Sequence, residues 1–176
     1  ACLTIPIILP PTVIGYLLLL MFGRSGFIGR FLYEVTGISI IFTWKAAVLA
    51  ASVVSFPLMY RTGKAAIESV DRDFIYASYT LGHSQMETFF RIVLPLARKG
   101  ILAGLILAFA RSMGEFGATL MIAGNIPGRT ETMPLAIYTA TNSGNDLQAA
   151  ILVTILTAVS ILVLYLIQKQ GTIIGR

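Results

Sequence analysis

Arg111 and Glu115 are ionisable side chains inside a stretch otherwise apolar enough to cross a membrane. Four residues apart on a helix, they share a face and can form an ion pair that lowers the cost of placing either charge in a bilayer. Counted from Ala97, Arg111 lies about 21 Å along that helix, in the outer half of a membrane. A charge there costs about 2.5–3.5 kcal/mol on insertion scales, so it must face protein or a water-filled path. Two readings stay open: a translocation path for an anion, with Gly114, Gly117 and Thr119 beside the pair, or a pair that only locks helix packing. Lys45, next to Trp44 at the outer end of another apolar block, either snorkels to the interface or draws an anion toward a pore.

Other chemistry is excluded. The chain has no Gly-x-x-x-x-Gly-Lys-Ser/Thr loop to cradle ATP phosphates. With one histidine, His83, and no paired carboxylates on a common face of a span, it assembles no hydrolytic or metal site. The single cysteine, Cys2, rules out an internal disulfide and a cysteine-based metal cluster. No cofactor is expected on this chain.

The elements that must position these residues are membrane helices. Of 176 residues, 56% are hydrophobic and 12% charged, with a mean hydropathy of +0.83, too little polar surface for a fold in water. An all-α integral membrane protein is expected, a single transmembrane domain over 1–176. Its spans fall at about 1–22, 38–60, 96–122 and 147–168, each near the roughly 20 residues that cross a bilayer. These continuous runs lack the alternation of a transmembrane β-barrel.

The net charge of +5 is a topology signal rather than a mark of nucleic-acid binding. Arg61, Lys64, Arg72, Arg91, Arg98, Lys99, Lys169 and Arg176 make up eight of the 13 Lys and Arg. All lie in the loop 61–95, just beyond it, or at the C-terminus, so that loop and the C-terminus are expected to be cytoplasmic. Only Arg24, Arg30 and Arg129 lie in the other two loops.

Within the long loop, Tyr76 to Pro95 reads as two short amphipathic helices. Phe74, Ala77, Ser78 and Leu81 share one face, and Met86, Phe89, Phe90, Val93 and Leu94 another. Gly82 parts them, and Ser84 followed by Glu87 fits a capping box. Pro95 marks the start of the next segment.

Ala77, Ser78 and Gly82, followed after nine residues by Ile92-x-Leu94-Pro95, closely resemble the coupling motif of permease subunits of ATP-driven, binding-protein-dependent importers. Tyr76 stands where that motif carries Glu, and Asp71 and Asp73 supply acidity nearby. The stretches Leu9–Tyr16, Ala108–Ser112, Gly114–Leu120 and Asn125–Thr130 are similar to molybdate permease subunits over nearly the whole chain. The resemblance implies a type I ABC importer permease fold with a cytoplasmic coupling helix, in a prokaryotic inner membrane. It implies a homodimer, a separate ATP-binding subunit carrying ATP and Mg, and an extracytoplasmic molybdate-binding protein received by outer loops, here Asn125, Pro127 and Arg129. It also implies that one N-terminal span is missing.

In chain order, Pro6, Pro10 and Pro11 should kink the first span or delay it to about Pro11. Phe22–Gly37 is expected as a glycine-broken outer connection and Gly124–Asn145 as an outer loop with turns at Pro127-Gly128 and Asn142–Asn145. Gly114, Gly117 and Ala118 would let another helix approach closely, which suits a dimer axis. Molybdate or tungstate is the expected cargo. Sulfate or thiosulfate is the alternative, because sulfate permeases share the coupling loop. An ion-gradient-driven transporter fragment, expected to show broken mid-membrane helices, and a non-transporting scaffold are the other classes.

Overall fold

Apolar runs in a bilayer must satisfy their backbone groups internally, and this chain does so with helices. The computed structural model describes residues 5–173, with side chains described for 6–166, and every regular element among them is helical. In order these are α1 (Ile5–Ile8), α2 (Pro11–Phe22), α3 (Phe27–Thr36), α4 (Trp44–Glu68), α5 (Arg72–Thr80) and α6 (Gln85–Thr88). A π-turn (Phe89–Val93) leads into α7 (Leu94–Met113), followed by α8 (Gly117–Ala123), α9 (Met133–Asn142) and α10 (Asp146–Ile173).

Among the described residues three helices are long and apolar enough to cross a membrane: α4, the continuous helix Gln85–Met113, and α10 over Asp146–Leu166. α2 and α3 reach that length only as a pair bent by 46°. The described part of α10 buries none of its most apolar window. Ile151, Val153, Ile155, Ile161 and Leu162 are all exposed, on more than one side of the helix, an apolar surface suited to lipid or another helix.

Several boundaries differ from the sequence reading, each for a physical reason. Block 1–22 is two helices, because Pro10 and Pro11 remove consecutive donors; α2 begins at Pro11 as expected, and residues 1–4 lie outside the described residues. Block 38–60 begins at Trp44 and runs on to Glu68, so residues 61–68 are helix rather than loop. Pro57 lies inside α4 without ending it. Block 96–122 is not one span: α7 stops at Met113 and α8 starts at Gly117. Pro95 is in the first turn of α7, where a missing N–H is tolerated, and the helix passes through it from the π-turn. The outer connection 22–37 contains α3: Gly23 and Gly26 part it from α2, while a Cβ on Gly29 would strike the carbonyls of Phe22 and Gly23. The expected loop 124–145 contains α9.

The core lies between α2, α4 and α8. Ala46, Ala50, Ala118 and Ala123 are buried there with Ile14, Leu18, Val54 and Ile122. Small residues set the spacing, as membrane helix packing requires. A Cβ on Gly15 would sit 2.7 Å from Ala118 Cα, and one on Gly117 would sit 3.1 Å from Thr12 Cγ2. α7 meets α4 in the same way, with a Cβ on Gly104 3.1 Å from Thr62 Cβ. The close approach made at Gly117 and Ala118 is therefore to this chain's own α2. A Cβ on Gly114 would meet nothing within 4 Å.

These contacts set an expectation for stability. Gly15→Val should lower the melting temperature of the detergent-solubilised protein, by overpacking that costs about 1–3 kcal/mol. Gly63→Ala, whose nearest neighbour to an added Cβ is Met59 Cε at 3.8 Å, should hold or raise it by about 0.5–1 kcal/mol of helix propensity. Equal melting for wild type and Gly15→Val would contradict the packing described.

Candidate functional site

The residues singled out by the sequence fall into three zones along α4 and α7. The first is a handle at the end where α4 finishes and Gln85–Met113 begins. Asp71 caps α5, its Oδ1 accepting the Asp73 N–H at 3.0 Å. The chain reverses at Gly82, whose φ of +84° lies in the left-handed region, which glycine enters without the strain of a side chain. The His83 N–H then donates back to Ser78 O at 3.2 Å. Ser84 and Glu87 form the expected capping box: the Glu87 N–H donates to Ser84 Oγ at 3.3 Å and the Ser84 N–H to Glu87 Oε2 at 3.0 Å.

α5 and α6 are fastened by a contact that sequence spacing did not suggest. Ser78 Oγ and Thr88 Oγ1 lie 2.9 Å apart, 3% and 2% exposed. Thr88 carries no motif signal, because its role depends on the angle at which α6 folds back on α5. Outside this lock the handle presents Phe74, Tyr76, Tyr79, Leu81, Met86 and Phe90, all exposed. Of the motif positions, Ala77, Gly82 and Pro95 are exposed, Ser78 is buried, and Ile92 and Leu94 are half-buried at the π-turn. Asp71 and Asp73 are exposed at the start of α5.

The second zone is the break between α7 and α8. Arg111 Nη1 donates to Glu115 Oε2 at 2.9 Å. Glu115 lies past the end of α7, so the two share a junction rather than one helical face. Its other oxygen, Oε1, accepts the Ala118 N–H at 2.9 Å, so one buried carboxylate ties the end of α7 to the start of α8. Gly117 and Thr119 are buried on α8, and Gly114 is exposed at the end of α7. Arg111 also lines a cavity of ≈ 340 Å³ with Arg61, which the sequence reading had placed in a loop.

The third zone lies at the opposite end. Lys45 stands in the first turn of α4, its Nζ 5.9 Å from the Trp44 ring centroid. It does not line the cavity that Arg111 lines, and it joins Arg129 instead. Two neighbouring cavities, ≈ 530 and ≈ 270 Å³, share Ser39, Thr43 and Arg129, with Arg24 lining the larger and Lys45 the smaller. Pro127 and Gly128 make the expected turn, with the Arg129 N–H donating to Ile126 O at 3.0 Å and Gly128 at φ +70°. Asn125 Nδ2 donates to Thr139 Oγ1 at 2.7 Å and fixes this loop on α9. Among the described residues no cluster of three metal-ligating side chains occurs.

Comparison with known proteins agrees over nearly the whole chain. The family model described as binding-protein-dependent transport system inner membrane component matches residues 1–170. A putative molybdenum transport system permease protein of Bacillus subtilis is 46% identical over 171 residues, 97% of this chain and 75% of the relative. The molybdenum transport system permease protein of Escherichia coli K12 is 54% identical over 137 residues, 78% of this chain. The sulfate transport system permease protein of Salmonella typhimurium is 33% identical over 176 residues. The chain spans 60% of the length of the Escherichia coli relative and 63% of the Salmonella one.

The buried hydroxyl pair yields a double-mutant test. Ser78→Ala and Thr88→Val should each destabilise the handle by about 1–3 kcal/mol, because each strands the other hydroxyl, while the double variant recovers much of the loss. Hydrogen exchange of the α5 and α6 amides reads this directly. Additive losses would show that the two hydroxyls do not depend on each other.

Proposed function

We propose a function from one premise: the chain belongs to the family of binding-protein-dependent transport system inner membrane components. It is the membrane-spanning permease subunit of an ATP-driven importer that moves molybdate or tungstate into the cytoplasm. The chain is not an enzyme in its own right; a separate ATP-binding subunit carries ATP and Mg and hydrolyses the nucleotide. That subunit grips residues 71–95, two copies of the chain pair around the path, and an extracytoplasmic binding protein delivers the anion at the end bearing Asn125, Pro127 and Arg129. The surplus of basic residues in the handle and at the C-terminus supports a cytoplasmic side for both.

The observation that carries this reading is the handle's attachment. α5 and α6 are locked by Ser78 and Thr88, and α6 runs without interruption through the π-turn into α7, whose far end holds Arg111 and Glu115. A pull on the exposed aromatic face is delivered to the ion-paired break as displacement of one stiff rod. Broken helices also suit a secondary transporter, but such a protein has no use for a docking handle built on this motif. Molybdate is favoured over sulfate because the Bacillus subtilis and Escherichia coli molybdenum permeases share 46% and 54% identity and the Salmonella typhimurium sulfate permease 33%.

The test is ATP turnover by the complete subunit reconstituted with its ATPase and binding protein. Molybdate and tungstate should stimulate it and sulfate should do so little; preferential stimulation by sulfate would overturn the cargo. Gly82→Asp should abolish ATPase co-purification while the spans stay folded, and normal assembly of that variant would remove the handle from the account.

A further inference from the structure

We propose that the cavity between α1, α2, α4 and α7 is an anion waypoint in which Arg61 and Arg111 together hold one tetrahedral oxyanion. The inference rests on the transport reading above and assigns a residue, Arg61, that neither the coupling motif nor the ion pair had singled out. The cavity measures ≈ 340 Å³, and Leu9, Pro11, Val54 and Leu58 line it together with the two arginines.

Charge balance gives the site its sign. Each Glu115 oxygen already has a donor, Arg111 at Oε2 and the Ala118 N–H at Oε1. Among the described residues no carboxylate lines the cavity, and none lies within ion-pair distance of Arg61. Two arginines thus line one apolar-walled space, and the carboxylate paired with one of them is already engaged. A charge at membrane depth needs a partner or water, so an uncompensated positive site of this kind attracts an anion. Guanidinium forks suit it, since each can offer two parallel N–H groups to the oxygens of a tetrahedral anion.

The position suits passage rather than storage. The cavity adjoins two helix breaks that pack together: α2 begins at Pro11, and Gly117 at the start of α8 lies against Pro11 and Thr12. Discontinuous helices meeting within the span are where transporters bind cargo. Arg111 keeps 39% of its side chain exposed and Arg61 is exposed, so an anion held there is hydrated on one side and leaves readily. A phospholipid headgroup shares the chemistry of a tetrahedral oxyanion, and the experiment separates the two sources.

Leu58→Cys in a Cys2→Ser background, in the complete transporter reconstituted in phospholipid vesicles with its ATPase and binding protein, places a thiol on the cavity wall. An anionic methanethiosulfonate should label it about tenfold faster than a cationic one, through attraction by the arginines. Arg61→Gln should remove that preference, Arg61→Lys should keep most of it, and millimolar molybdate should slow anionic labelling only while Arg61 is present. Val54→Cys is the second probe if Leu58→Cys fails to assemble. Equal rates for the two reagents, or a preference that survives Arg61→Gln, would overturn the site. Labelling indifferent to molybdate that rises when phospholipid is exchanged for detergent would assign the cavity to a headgroup and overturn the waypoint. Labelling as expected in a protein whose ATP turnover ignores molybdate would sustain the anion site while sinking the cargo assignment.

Discussion

Glu115 sits where α7 has ended and α8 has not begun. A buried carboxylate there would be prohibitively costly alone. Arg111 neutralises it from one side and the Ala118 N–H at the start of α8 takes its other oxygen. The same carboxylate serves as counter-ion and as the joint of a broken helix. Removing it would leave an arginine without its counter-charge and a helix start without a cap at the level where α2 also begins.

Around this joint the fold is drawn tight by small residues rather than by bulk. Gly15, Ala118 and Gly117 bring α2 and α8 together, and Gly104 and Gly100 bring α7 onto α4. Such packing suits a body that must move as pieces, since backbones in close contact transmit displacement with little give. The helix Gln85–Met113 spans about 43 Å. It joins the handle at one end to the Arg111 junction at the other. In the proposed cycle, docking energy applied to exposed aromatic residues at one membrane face reaches polar groups deep in the span through that helix.

Much of this was legible in the sequence because it rests on local chemistry. Gly82 as the break between two short helices, the Ser84–Glu87 box, the start of α2 at Pro11 and the turn at Pro127-Gly128 each follow from what one residue type permits. Three features were not legible. Hydropathy read 96–122 as one span because the residues at the break, Gly114 to Phe116, include one carboxylate that looks internal until its partners are known. Glycines in 22–37 and turn formers in 124–145 pointed to loops, yet Gly29 serves α3 by letting carbonyls approach, and α9 forms in a stretch bounded by turn residues. Arg61 and Thr88 gained their places from tertiary geometry alone, since nothing in either residue's neighbours announces a cavity or a buried hydroxyl partner.

The central claim is that the handle and α7 move as one body. Spin labels at Gln85 and Leu105, both exposed, report the internal distance along that helix. A label at Leu105 in each of two paired subunits reports movement between them. Measured in the assembled transporter with and without nucleotide, the Gln85–Leu105 distance should stay within the width of its own distribution while the Leu105–Leu105 distance shifts. An internal distance that changes as much as the one between subunits would mean that the helix bends at the π-turn, and the account of a rigid lever would fail.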